Sequence, residues 1–95
     1  MTYNYYWEIT LDRYADTGAP TGTNANAVGI KSGDPAIANR DGVKRSRFQM
    51  FDDDRNHIYS GFIYHRNGEE QFTPLDQFGT PNFGCTYMTI DGEIL

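Results

Sequence analysis

Tyr3-Asn4-Tyr5-Tyr6-Trp7-Glu8-Ile9-Thr10-Leu11 is the stretch whose reading decides the fold. In an extended chain Tyr3, Tyr5, Trp7, Ile9 and Leu11 fall on one side. Asn4, Tyr6, Glu8 and Thr10 fall on the other. Alternation with period two marks a strand with one face in a core and one face partly wet. Residues 46–51 repeat the pattern, with Phe48 and Met50 on one face. Phe51 breaks it, which predicts a bulge or a residue packed on the opposite face. Residues 52–56 then read as a turn. Residues 57–65 read as the return strand, with Ile58, Ser60, Phe62 and Tyr64 on one face and Tyr59, Gly61, Ile63 and His65 on the other. Apolar residues on both faces predict a central strand.

The segments around these strands carry weaker signals. Residues 12–27 are rich in Asp, Thr, Gly, Pro and Asn and read as a long surface loop. Residues 27–30 are expected to form a short strand. Asp34-Pro35 has the form of a helix cap followed by proline, predicting a turn or two before Gly42. Asn67-Gly68 is a turn signal. Thr73-Pro74-Leu75-Asp76 predicts a second helix start, with Gly79 ending it after one turn. Residues 85–90 read as a strand, and Asp91-Gly92 as a turn that pairs the last residues back. The expected fold is β-dominated α+β, or all-β. It is a single antiparallel sheet of four to five strands with one or two short helical turns.

Composition agrees. The 95 residues make one domain, 1–95. Seven Tyr, six Phe and one Trp supply the bulk of the apolar area, which suits sheet faces better than a helical bundle. No stretch is apolar for long enough to span a membrane, and the N-terminus does not read as a secretory signal. A single cysteine, Cys85, rules out an internal disulfide. The expectation is a cytoplasmic protein with no membrane partner. The net charge of −5 is unevenly placed. Residues 1–47 carry six basic and five acidic groups, and residues 48–95 carry two basic and eight acidic ones.

Chemical motifs are scarce. Asp52, Asp54 and Asn56 match the opening of a calcium loop, but His57 stands where a turning Gly is needed and Ile63 where a bidentate Glu belongs. One Cys and two His at wide spacing do not make a zinc site. No catalytic group, metal or cofactor is expected, and Cys85 reads as a small buried residue. The glycines form no phosphate-binding loop. Two charged features remain. Asp52, Asp53, Asp54, Glu69, Glu70 and Asp76 offer an acidic partner surface, with Tyr59 and Phe78 as aromatic anchors. Arg40, Lys44, Arg45 and Arg47 offer a basic patch, with aromatics nearby for stacking. Tyr6, Tyr59 and Phe51 are expected on the face of the sheet away from the core.

Four blocks also carry a resemblance: Trp7-Glu8-Ile9-Thr10; Gly22-Thr23; Arg47-Phe48-x-x-Phe51-Asp52-Asp53-Asp54 with Tyr59-x-Gly61; and Pro74-Leu75-Asp76-x-Phe78-Gly79-x-Pro81-Asn82-x-Gly84-Cys85-Thr86. Together they resemble a set of small proteins common in actinobacteria and their mobile elements. The sequence departs from that pattern at Arg55, where a Gly is expected. The resemblance implies no activity. It implies a setting, in which small domains on mobile elements are often inhibitors of host defence or regulators.

The resulting expectation is a non-enzymatic protein-binding module. It would inhibit a host defence protein, in the manner of an anti-CRISPR protein, through the acidic surface. The partner would be a host protein, such as a nucleic-acid-binding effector reached by complementary charge. One alternative is a nucleic-acid or nucleotide-binding regulator using residues 40–47, with nucleic acid the less favoured partner. Another is a small enzyme without a recognisable motif. An uncovered sheet face is also compatible with a homodimer.

Overall fold

In a computed structural model, residues 5–12 and 46–65 become the centre of one sheet. The structure describes residues 4–13, 27–66 and 68–94. Most of the loop expected over 12–27, together with Tyr3, Asn67 and Leu95, lies outside the described residues. Six strands run β1 (Tyr5–Asp12), β2 (Lys31–Gly33), β3 (Lys44–Phe51), β4 (His57–His65), β5 (Tyr87–Ile90) and β6 (Glu93–Ile94). Their order across the sheet is β2-β1-β4-β3-β5-β6, and every neighbouring pair is antiparallel. The count exceeds the expected four to five because both edge strands are too short to show periodicity. Short edges also limit pairing with other chains.

The central hairpin follows its sequence closely. β4 spans the expected residues and sits between β1 and β3. Two bulges adjust the faces. Between β1 and β4, Ile9 opposes Gly61 and Leu11 opposes Ser60, so Thr10 is the extra residue. This turns Leu11 away from the core, where alternation had placed it, and leaves it exposed. Between β3 and β4, Met50 opposes Tyr59 and Phe51 opposes His57, so the bulge at Phe51 has its extra residue, Ile58, on the partner strand. Ile58 thereby joins Tyr59 in the core instead of lying with Ser60 and Phe62.

Three other segments depart from expectation. Residues 27–30 form a turn rather than a strand, yet they still bond the edge of β1: Ile9 N–H donates to Ile30 O (2.8 Å) and Gly29 N–H to Ile9 O (2.9 Å). The last long strand starts at Tyr87 rather than Cys85. Residues 68–83 are helical throughout: a 3-10 turn at Gly68–Phe72, a π turn at Leu75–Gly79 and an α turn at Thr80–Phe83. Thr73 does not cap this segment. Its hydroxyl donates back to Glu70 O. Gly79 does not end it either. It packs in the interior, where an added Cβ would strike Met50 Sδ, so glycine lets the helix approach the sheet. Gly84, at φ 68°, makes the stop. The π turn has a cause in Pro81. Proline lacks an N–H and crowds the carbonyl four residues back, and a wider turn relieves both. The Asp34-Pro35 start is present, with Asp34 Oδ1 accepting from Ala36 N–H at 3.0 Å ahead of the 3-10 turn Pro35–Asn39.

The helical segment covers one face of the sheet. Trp7, Ile9, Phe48, Met50, Ile58, Tyr59, Ile63, Met88 and Ile90 pack there against Leu75 and Cys85, with Phe78 and Phe83 at the margin. Trp7 Nε1–H donates to Gln77 Oε1 (3.1 Å), and Gln77 Nε2–H to Tyr5 Oη (2.7 Å). The buried indole N–H is thus satisfied, as its position requires. Gly61 opposite Ile9 is obligatory: a Cβ would meet the Glu8 carbonyl and the Phe48 ring. No helix among the described residues is long and apolar enough to cross a membrane.

Candidate functional site

The other face of the sheet is set by the same registers. Four rows cross it. Tyr6, Tyr64 and Arg45 form the first, and Glu8, Phe62 and Arg47 the second. Leu11, Ser60, Gln49 and Thr89 form the third, and His57, Phe51 and Tyr87 the fourth. Of these, Leu11, Arg45, Arg47 and Gln49 are exposed, and Phe51, Ser60, Phe62, Tyr64 and Tyr87 are half-buried. Only Tyr6 and Thr89 are buried. Among the described residues, the helical segment 68–83 packs on the opposite side.

Aromatic rings gather at both ends of this face. Tyr6 lies 6.3 Å from Phe62 and 6.4 Å from Tyr64, and Phe62 meets Tyr64 edge-on at 5.6 Å. The Arg45 guanidinium lies 4.8 Å from the Phe62 ring centre, a cation–π contact. At the far end Phe51 stacks on Tyr87 at 5.0 Å and lies 5.4 Å from His57. Between the ends runs a solvent-open trough of about 590 Å³. Thr10, Leu11, Arg47, Gln49, Ser60 and Thr89 line it, beside the Asp91-Gly92 turn. Such a volume is in the range of small-ligand sites. The trough is rich in hydroxyl and amide groups that both donate and accept.

Charge on this face is mostly positive. Glu8 accepts the Tyr6 hydroxyl at 2.8 Å. Burial first, and then the Glu8 hydrogen bond and charge, push the Tyr6 phenol up to about 12, so it remains a donor. Asp91 Oδ1 accepts the Arg47 backbone N–H at 2.9 Å, which completes the end of the β3–β5 ladder. Among the described residues, neither the Arg45 nor the Arg47 guanidinium is in an ion pair. The other two members of the expected basic patch lie elsewhere. Arg40 is 3.9 Å from Asp34, and Lys44 opposes His65 at the start of β3, one residue out of phase with Arg45.

The expected acidic surface is divided. Asp52–Asp54 cap one end of the β3–β4 ladder, while Glu70 follows the other end of β4, about 30 Å away along a nine-residue strand. Asp52 is committed to its own turn. Its Oδ1 accepts from Asp54 N–H and Asn56 N–H, both at 2.9 Å, and its Oδ2 accepts from Asn56 Nδ2 at 3.1 Å. Burial raises its pKa, but the hydrogen bonds from Asn56 and Asp54 outweigh this and hold the carboxyl below its ordinary value. Asp53 and Asp54 are exposed. Glu70 Oε1 accepts the Arg66 N–H at 3.2 Å. Asp76 is exposed on the helical segment. Glu69 falls in the 3-10 turn Gly68–Phe72, and its side chain lies outside the described residues. The anchors are corrected as well. Tyr59 is 2% exposed and belongs to the core, not to the open face. Phe78 packs on Tyr59 (5.1 Å) and Trp7 (6.1 Å). Tyr6 and Phe51 do lie on the face away from the core.

Reactive groups are placed for structure. Cys85 is fully buried, and burial followed by the Asp52 charge pushes its thiol up to about 12, so no thiolate is present near neutrality. Ser60 Oγ and His57 Nε2 are 2.6 Å apart in the trough wall. The same nitrogen is 3.2 Å from the Tyr59 carbonyl, which can only accept; a proton on Nε2 serves both contacts, whereas a proton on Nδ1 leaves Nε2 to accept from Ser60. Ser46 and His65 form a second pair at 2.9 Å, buried on the core side. Among the described residues, no three His, Cys, Asp or Glu side chains gather closely enough to hold a metal ion.

Phe62, Tyr64, Gln49, Ser60 and Thr89 escaped the list of candidate residues drawn from sequence. Their signal was the period-two phase of residues 45–49, 60–64 and 87–90. Alternation separates two faces, but it does not say which one the helix will cover. No family model, curated protein or solved structure matches the chain.

Proposed function

We propose that this protein is a non-enzymatic binding module whose working surface is the open face of its sheet. One observation carries the reading. Arg45, Arg47, Phe62, Tyr64 and Gln49 stand on one continuous face, and among the described residues the fold does not consume them in ion pairs or in the core. Half-exposed aromatics beside arginines are the residue types that anchor interfaces. The buried Cys85 thiol, with its raised pKa, speaks against nucleophilic work at that residue.

A second reading keeps the acidic tip. Asp53 and Asp54 are exposed and their carboxylates make no contact that the turn requires. In the setting that the resemblance implies, they would meet a basic host protein, and the module would act in the cytoplasm as an inhibitor of a defence effector. Tagged protein used as bait in extracts of the host cell separates the two. Partners lost with Arg47→Ala/Tyr64→Ala and retained with Asp53→Asn/Asp54→Asn support the open face. The reverse pattern transfers the function to the tip.

A further inference from the structure

We propose that the occupant of the open face is a short single strand of nucleic acid; this rests on the open face being the working surface and names its ligand. Arg45 and Arg47 alternate along β3 and project from the same face, about 7 Å apart along the strand. That spacing is comparable to one nucleotide step of an extended single strand. Two cations so placed match successive phosphates. A peptide partner offers no such regular negative charge.

The aromatic groups supply the second half of the match. Tyr64 and Phe62, the latter under the Arg45 guanidinium that itself offers a plane for a base, at one end, and Phe51 with Tyr87 at the other, are separated by the polar third row. Phe62 and Phe51 lie across from Arg47 and His57, four residues apart on β3 in register terms, or about 14 Å. Two stacking platforms at that distance fit a strand of a few nucleotides, with bases on the rings and base edges in the trough. Thr10, Gln49, Ser60 and Thr89 there both donate and accept, as base edges do. A duplex keeps its bases stacked inside and offers nothing to these rings. The net charge of −5 repels nucleic acid generally, so binding is confined to this face.

The test is fluorescence anisotropy of the full chain with a labelled oligothymidylate, a labelled oligouridylate and the same oligothymidylate annealed to its complement. Single strands should bind more tightly than the duplex. The affinity should fall with salt at a logarithmic slope of about −1.4, from about 0.7 for each of two phosphates. Arg45→Ala/Arg47→Ala should flatten that slope, and Tyr64→Ala should weaken binding on the order of tenfold. Tyr64→Leu, which keeps bulk without an aromatic face, should show the same loss while circular dichroism stays that of the parent. Asp53→Asn should not weaken binding. Folded protein that binds neither single strand at low salt overturns the proposal. So does binding that the face variants leave unchanged, or a homodimer in sedimentation that the face variants dissociate. If bait experiments still lose a protein partner with the face variants while no oligonucleotide binds, the face reading stands and only its ligand falls.

Discussion

The two faces of the sheet take their side chains alternately from the same strands and use them in opposite ways. On the covered face Trp7, Phe48 and Tyr59 are no more than 2% exposed, and the indole N–H has a partner in Gln77. On the open face Phe51 stacks on Tyr87 and Phe62 meets Tyr64 edge-on, and each ring keeps part of its surface in solvent. The covered face spends its residues on folding. The open face holds residues that the fold does not need, and two of them are arginines. Function is sought in what folding leaves over, and stability measurements can tell the two kinds of residue apart.

The largest contrast is between Phe48 and Phe62, which belong to adjacent residue pairs of the β3–β4 ladder and so lie on opposite faces. Phe48→Ala empties a packed position and should cost about 3–5 kcal/mol. Phe62→Ala removes a half-exposed ring with one cation–π contact and should cost about 1 kcal/mol. Urea denaturation of both variants measures the difference. Equal losses would mean that the open face is a second core, and the distinction would collapse.

Next comes the hairpin tip, where carboxylates also divide into spent and unspent. Asp52→Ala removes the acceptor for three hydrogen bonds and should destabilise by on the order of 1 kcal/mol. Asp53→Ala and Arg47→Ala should each change stability by about 0.5 kcal/mol or less. A cost at Arg47 as large as that at Asp52 would mark it as a folding residue and weaken its claim on a ligand.

Much of this was legible in the sequence. The 57–65 strand, the turn at 52–56 and the Asp91-Gly92 turn are dictated by local pattern and turn chemistry. The bulge at Phe51 shows in its broken alternation, although the extra residue, Ile58, sits on the partner strand; the bulge at Thr10 was not legible, because an extra residue is fixed by the partner strand's register rather than by its own neighbours. The helical segment was underestimated for a related reason. Gly79 reads as a stop when seen alone and as a close-packing residue once Met50 lies beneath it. For the site, the sequence supplied charged clusters by proximity along the chain. Folding split them: Arg45 from Lys44 by strand phase, and Asp52–Asp54 from Glu70 by the length of β4.

The departure at Arg55 becomes a prediction of similar size. Its φ of 65° is left-handed, a conformation glycine adopts without a steric cost. Arg55→Gly should therefore stabilise the hairpin by about 1 kcal/mol in urea denaturation. The gain is opposed by the greater freedom glycine has in the unfolded chain. Ligand affinity of the open face should not change, since Arg55 lies at the tip beyond the four rows. A loss of affinity would draw the tip into the site.

The smallest effect is a pH dependence at His57, which closes the far end of the open face. Burial lowers its pKa from 6.5, and the Arg13 charge adds to this against the hydrogen bond to Tyr59. The unfolded chain therefore takes up its proton first as the pH falls. Stability conferred by neutral His57 is complete above pH 6.5 and declines as the pH drops through the lowered folded value. Asp52, also lowered, adds an acid loss of its own, but only below its ordinary 3.8. The two windows are separate, so His57→Gln should flatten the urea midpoint between pH 7 and 5 and leave the steeper fall below pH 4 intact. A midpoint in His57→Gln that still falls between pH 7 and 5 as in the parent would assign that window to another group.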